Sequence, residues 1–467
     1  MPNPQPPPPQ AVARLGGLTR RGRPAAGLRP TVLFTIAITL TVGWVAFGVW
    51  VSGPWRDELG DAIGPVMAWV IPILLAYVPG FVIGFMLFTL LICPYQEVSR
   101  VGRHGSWPES EWPPVTILVA AWNEEDAIVP TLERIAELTY PGAVHVVLAD
   151  NNSTDRTAEL AGAAAERLGL DYERVFEPAP GKHRVLDTAL KTVATPVVVT
   201  VDADTFLQRE ALTYLVGRLL AKPQDQHVCA CAGALVPENP KADFLTRMQQ
   251  WDYRLGINGV KRMQAAYNSA LVAQGAFSAY WTEDLLAVGG WPDAIGEDIV
   301  LTWTMMAERG LVQYEPVAVG FTVVPERLGR LMSQRSRWAR GMFEGLRKHP
   351  PPTQPRILAK FVASIDYLVP LLDIGFIFFW IPGLILFAFG YPLIVGWWSM
   401  LLLPITFAIF AFLRVWQERH VFRRLGIDAG KDARGFFGYV LAYQALTSAA
   451  SLRGYGQYLV GSGRRWK

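Results

Sequence analysis

Three long stretches without a charged residue constrain this chain more than any other feature. Thr31–Val51, Val66–Cys93 and Ile374–Leu413 contain no Asp, Glu, Lys or Arg. Roughly 20 apolar residues cross a bilayer. The first two stretches therefore predict one span each. The third is long enough for two, with a break at Gly390-Tyr391-Pro392. Asp366 and Asp373 precede it, so its first helix is expected to start near Phe361, and intramembrane acids of this kind could line a hydrophilic path. Phe436–Val460 is apolar but carries Gln444, Arg453 and Gln457. It reads either as a further crossing or as an interfacial or re-entrant segment. A 51% hydrophobic, 18% charged composition agrees with spans around one sizeable soluble domain.

The expected division is a basic, Pro-rich, disordered tail (1–30), two spans (31–93), a soluble domain (94–324), an amphipathic interfacial region (325–356), two further spans (357–416), and a basic loop with another membrane or re-entrant segment (417–467). Lys/Arg bias sets orientation. Residues 1–30 hold Arg14, Arg20, Arg21, Arg23 and Arg29 and no acid, whereas Ser52–Pro65 sets Arg56 against Asp57, Glu58 and Asp61. This predicts a cytosolic N-terminus and soluble domain, in a multi-pass protein of the cell membrane. The C-terminal GRRWK conflicts with one more full crossing. The first span exceeds a usual signal-peptide core and lacks a small-x-small site after it, so it reads as an uncleaved anchor. A net charge of +3 gives no argument for nucleic acid, and Cys93, Cys229 and Cys231 make neither a disulfide framework nor a zinc site.

Within the soluble part, the apolar runs Val115–Ala121, Val144–Ala149 and Pro196–Val201 alternate with helical patterns at Glu124–Leu138 and Thr154–Leu168. That order predicts an α/β, Rossmann-like domain with a parallel sheet, whose ligands bind beyond the carboxyl ends of the strands. The polar motifs fall there. AAWNEE (Ala120–Glu125) follows the first run, LADNNSTDRT (Leu148–Thr157) the second and VDAD (Val201–Asp204) the third. Asp202 and Asp204 form a carboxylate pair suited to a hard cation such as Mg²⁺ or Mn²⁺ beside a diphosphate. The alternative is a turn with two solvated acids. Ser153 or Thr154 can cap the next helix, with Asp155 in its first turn. In IGEDI (Ile295–Ile299), Glu297 and Asp298 suit general-base chemistry or the start of a helix. In QRSRW (Gln334–Trp338), Arg337 can pair bidentately with an anion, Trp338 offers a flat apolar face, and Gln334 can hydrogen-bond. Arg330, Arg335, Arg340 and Lys348 read as the basic face of an interfacial helix, outside the site.

The ordered set, over roughly Pro114 to Gly345, resembles the processive membrane glycosyltransferases of family 2, which include cellulose, chitin, hyaluronan and poly-N-acetylglucosamine synthases. The resemblance implies a GT-A type domain that takes a UDP-sugar from the cytosol and adds it, with inversion, to a growing glycan. It implies Asp298 as base with Glu297 orienting, and Asp204 as metal ligand with Asp202 on metal or uridine phosphate. Donor contacts would come from Ala121, Asn123, Glu124, Asp150 and Lys182, with Asp150 at uracil or ribose. Gln334, Arg337 and Trp338 would meet acceptor and diphosphate. Asn151 departs from the family's second acid in DDxSxDxT, and Trp281 replaces the usual basic residue after AQGAFSAY. The run GEDIVLTW…QRSRWARG is similar to that of bacterial poly-β-1,6-N-acetylglucosamine synthases, which favours UDP-N-acetylglucosamine. Hyaluronan-, chitin- or cellulose-type polymers, a single transfer to lipid, and an inactive scaffold or transporter remain alternatives. The expected partners are the UDP-sugar, the glycan acceptor, the bilayer and a small accessory membrane subunit.

Overall fold

A computed structural model describes residues 28–93, 112–221, 226–420, 423 and 432–461. The Pro-rich tail before residue 28, the Pro94–Arg103 linker, most of the basic loop after His420, and GRRWK lie outside the described residues.

Eight strands form one sheet in the order β3-β2-β1-β4-β7-β6-β8-β5. They are β1 (Val115–Ala121), β2 (Val144–Asp150), β3 (Tyr172–Phe176), β4 (Val197–Asp202), β5 (Thr205–Leu207), β6 (Val228–Pro237), β7 (Phe277–Trp281) and β8 (Leu311–Thr322). Strands β3, β2, β1 and β4 run parallel. The Val- and Ile-rich runs of β1, β2 and β4 are largely buried, as a sheet covered on both faces requires. The expected parallel sheet stops at β4. There β7 enters antiparallel to β4 and β6, while β8 runs parallel to β6 and antiparallel to β5. The sheet is therefore mixed, because the chain does not return from β4 by a helical crossover. It turns at Asp202–Asp204 straight into β5.

One face of the sheet is covered by the helices Ile128–Ala136, Thr157–Leu168 and Ala211–Leu220, through Ile128, Leu132, Ala161 and Leu215. The opposite core holds Val185 and Leu186 of the Lys182–Leu190 helix and Trp303 of the Glu297–Glu308 helix, and it continues without a break to Leu33 and Phe85 of the apolar N-terminal helices. Tyr267 and Thr89 share a 2.6 Å hydrogen bond across that junction.

Among the described residues, three helices are long and apolar enough to cross a membrane: Pro30–Val51, Met67–Ile92 and Ile357–Ala388. The last begins four residues before the expected Phe361. The break falls where the sequence placed it, with Gly390 at φ +88°, and a further helix covers Trp397–His420. Residues 433–459 are helical and pack along the Leu328–Lys348 helix. There Gly454 allows contact: a Cβ on it would sit 2.4 Å from the Ser336 carbonyl oxygen.

Candidate active site

Two loops at the carboxyl edge of the sheet brace each other. Asn123 leaves β1 at φ +55°, and its Oδ1 accepts from the Thr154 amide at 2.8 Å. The amides of Asn123, Glu124 and Glu125 donate to Ser153 Oγ, Thr157 Oγ1 and Asp155 Oδ2. These bonds occupy donors that a helix from Glu124 would leave free. The helices begin beyond this braced segment, at Ile128 and Thr157, later than the apolar pattern suggested. Ala121 is buried at the end of β1, and its carbonyl accepts from the Asn151 amide at 2.9 Å.

Asp150 is fully buried. Its Oδ2 accepts from Arg174 Nη2 at 2.6 Å and Nε at 3.1 Å, and its Oδ1 accepts from the Ser153 amide at 3.0 Å. Its carboxylate is thus engaged within the protein, and the half-exposed Arg174 guanidinium is the group that faces outward. Arg174 was not singled out from the sequence, since an Arg on the edge strand YERVF looks like a solvated one.

Lys182 links Asp202 to the Glu297–Asp298 pair. It opens its helix after Gly181 at φ +141°, and its Nζ donates to Asp202 Oδ1. Gly275 leaves the ammonium room, since a Cβ there would lie 2.9 Å from Nζ. Burial alone would lower the Lys182 pKa, but Asp202, Glu297 and then Asp298 raise it above its usual value. The same crowding acts on the acids. Burial, then Asp204 and Asp202, push Glu124 up to about 7. Burial, then Asp202, push Asp204 up to about 6. Glu297 rises to about 8 through burial and then Asp298. Asp298 is also raised by burial, against the pull of Lys182 and Lys261.

Lys261 is a second residue that sequence reasoning missed. It is buried on the helical segment Asn258–Ala266, where burial lowers it to about 7 despite Asp298. A lysine within GVKRMQ carries no sequence signal of burial.

The turn carrying Glu297 and Asp298 is fixed to the helix carrying QRSRW. Glu344 Oε2 accepts from the Ile295 amide at 2.8 Å. Gly296 and Gly341 meet backbone to backbone, and a Cβ on Gly296 would lie 2.4 Å from the Gly341 Cα. Trp338 is 38% exposed, and the buried Gln334 Oε1 has no hydrogen-bond partner among the described residues. Arg337 shares this helix. Arg335 corrects the sequence reading. It is 7% exposed, not part of a solvated basic face, and pairs with Asp252 at 2.7 Å. Trp281 lies buried in β7 and donates to the Val228 carbonyl at 2.9 Å. Asp373 is bonded by Ser448 and Tyr455, each at 2.7 Å, so its carboxylate ties a candidate span to the C-terminal helix and is not free to line a path.

Among the described residues, no group of three or more His, Cys, Asp and Glu could hold a metal. Asp202 and Asp204 suit a different arrangement. An oxygen-only pair, with the Glu124 carboxyl near it, fits a hard cation whose remaining ligands are phosphate oxygens and water.

Residues 113–341 match the family described as glycosyltransferase like family 2. The poly-beta-1,6-N-acetyl-D-glucosamine synthase of Staphylococcus aureus (strain MSSA476) is 31% identical over 237 residues, covering 50% of this chain and 55% of that protein. An N-acetylglucosaminyltransferase of Mesorhizobium japonicum is 32% identical over 284 residues, covering 55% of this chain and 66% of that one. The chain thus aligns with little more than half the length of the first of these relatives. Among solved structures, the mannosyltransferase PcManGT from Pyrobaculum calidifontis, in complex with GDP-Man and Mn²⁺, superposes with a TM-score of 0.52 at 21% identity, over 84% of this chain and 99% of that one. Shared sequence and shared sheet agree with the placement of the motifs: this chain carries a glycosyltransferase domain of family 2, built on the GT-A fold.

Proposed function

We propose that the chain is an inverting, processive β-glycosyltransferase that polymerises UDP-N-acetylglucosamine at the cytosolic face of a membrane into an exported polysaccharide. One arrangement carries the reading. Lys182 stands between Asp202 and the Glu297–Asp298 pair, and the turn bearing that pair is welded to the QRSRW helix, which packs on the C-terminal helix. Donor phosphate, acceptor hydroxyl and departing glycan thus have adjacent places at one sheet edge.

In this reading Asn123, Glu124 and the Asp150–Arg174 pair form the nucleoside end of the site, beside Ala121. Lys182 neutralises diphosphate. Asp202 and Asp204 would hold Mg²⁺ or Mn²⁺, which when bound stabilises the charge of the departing diphosphate. Asp298 takes the proton of the acceptor hydroxyl as that oxygen attacks the anomeric carbon from the face opposite the diphosphate. Glu297, beside Asp298 and pushed up to about 8, shares the protonation of that buried pair and orients Asp298. Arg337 pairs with diphosphate, and Gln334 and Trp338 hold the acceptor sugar. The similarity to the two N-acetylglucosamine enzymes supports the choice of sugar.

The test is to incubate membranes containing the full chain with a panel of radiolabelled UDP-sugars and Mg²⁺ or Mn²⁺, then size and enzymatically digest the product. Long chains labelled from UDP-N-acetylglucosamine are expected. Transfer of a single residue to lipid would overturn processivity, and a different preferred sugar would overturn the donor assignment.

A further inference from the structure

Arg335 lies between Gln334 and the Arg337–Trp338 pair, yet it faces inward. Its Nη2 donates to Asp252 Oδ2 at 2.7 Å and to the Tyr443 hydroxyl at 3.1 Å. Tyr443 in turn donates to Asp252 Oδ2 at 3.3 Å. The guanidinium carbon stands 4.0 Å from the centre of the Trp338 ring and 5.9 Å from that of Tyr253. One buried cation therefore touches three separate parts of the chain.

The partners arrive through two local irregularities. Asp252 and Tyr253 sit in a π-turn, Asp252–Ile257, within the helix over 244–266, and Tyr443 ends another π-turn, Tyr439–Tyr443, in the helix over 433–459. Single π-turns in α-helices are uncommon and cluster at functional sites. Gly256 keeps the junction open, since a Cβ there would lie 2.8 Å from Asp252 Oδ1 and 3.5 Å from the Tyr439 hydroxyl. Asp204 acts electrostatically on Tyr253, so the junction borders the donor-side acids.

A buried ion pair by itself is weak evidence for stability, because desolvation offsets much of the attraction. A flat guanidinium on a half-exposed indole does something else. It fixes the plane of the ring, which a lysine with its compact ammonium does not do. We propose that Arg335 is a positioning residue, which by stacking on Trp338 and bridging Asp252 to Tyr443 orients the indole towards the acceptor and couples it to the C-terminal helix. The acceptor part rests on the role of Trp338 given above.

The test uses the full chain in lipid nanodiscs, labelled with 5-fluorotryptophan, with the Trp338 ¹⁹F resonance assigned through Trp338→Phe. Arg335→Met is expected to shift and broaden that resonance and to lower the ratio of elongation to donor hydrolysis about tenfold, the order of a lost cation–π contact. Arg335→Lys restores the charge opposite Asp252 but not the stack. It is expected to recover thermal stability without recovering the resonance or the ratio. Tyr443→Phe removes one hydroxyl, keeps the fold if the arginine variants do not, and is expected to move the resonance in the same direction by less. An unmoved Trp338 resonance in all three variants overturns the proposal, as does full recovery of resonance and ratio by lysine. A moved resonance with an unchanged ratio upholds the positioning and counts instead against Trp338 as the acceptor platform.

Discussion

At the scale of single residues, the site depends on which acids stay charged, and Lys182 decides much of that. Its ammonium raises no barrier to ionising Asp298. It lowers the cost that burial imposes. The Asp298 pKa still lies above its ordinary value, and a base must be deprotonated to act. Activity should therefore fall with decreasing pH at an acid limb above the ordinary aspartate pKa of about 3.9. Lys182→Met removes a group that holds Asp298 down, so the residual activity should show that limb at still higher pH. A pH–rate profile in which the limb stays put, or moves down, would refute the coupling. Asp298→Asn should reduce transfer by about 10²–10⁴ while UDP affinity stays within about twofold, since a base acts on the acceptor proton and not on the nucleotide. Titrating UDP binding alongside the rate checks this, and a variant keeping half its activity would remove Asp298 from the role. Asp202, Asp204, Glu297 and Asp298 were legible in the sequence because acids at strand ends and first turns stand out against apolar runs. Arg174, Lys261 and Arg335 were not legible. Whether a cation faces solvent or core depends on what the rest of the fold brings against it.

The elements around the site are set by glycines as much as by apolar pattern. The Leu328–Lys348 helix reaches the Glu297 turn only because Gly296 and Gly341 lack side chains. Gly296 sits at φ −106°, outside the left-handed region, so an alanine there is opposed by the Gly341 backbone, whose Cα, C and O would lie 2.4, 3.0 and 3.2 Å from its Cβ. Gly296→Ala should cost about 1–3 kcal/mol of stability, in the range of overpacking. It should also depress transfer more than UDP binding, because Asp298, the proposed base, moves relative to the QRSRW helix. Gly329→Ala on the same helix meets nothing within 4 Å and should be neutral or slightly stabilising. Thermal melts and rates of the two variants measured together check this, and equal behaviour would mean that the glycine contact does not set the site. Of the sheet, β1, β2 and β4 could be read from runs of Val, Ile and Leu. Strands β6, β7 and β8 could not. Their apolar segments, VCACAGALVP among them, lack a strand-specific period, and their direction follows from the turn at Asp202–Asp204 and not from local pattern.

The molecule as a whole joins its glycosyltransferase domain to membrane-type helices through one continuous core, so the orientation of the helices would fix the access of the proposed donor. The apolar spans were the most legible part of the chain, because a soluble domain rarely sustains 20 or so residues without a charge. The helix over 433–459 was the least, because its polar residues serve other helices: Ser448 and Tyr455 bind Asp373, and Tyr443 binds Arg335. One contact sets two connections between candidate spans on the same side. Trp55, in the segment after the first span, donates to the Leu393 carbonyl in the turn after the third at 2.9 Å. Those two connections therefore share a side, and the single Arg of Ser52–Pro65, against five in residues 1–30, favours the exterior for that side. With that orientation, the glycosyltransferase domain, at the opposite end of the second candidate span, would face the cytosol, as the proposed use of a UDP-sugar requires. Single cysteines test this in a background with Cys93 replaced by Ser, Cys229 and Cys231 being buried. A membrane-impermeant maleimide should label Glu58→Cys in intact cells and reach Glu137→Cys only after lysis, both positions being exposed on the protein surface. The opposite pattern would put the site on the wrong side for a cytosolic donor and would remove the synthase reading along with the orientation.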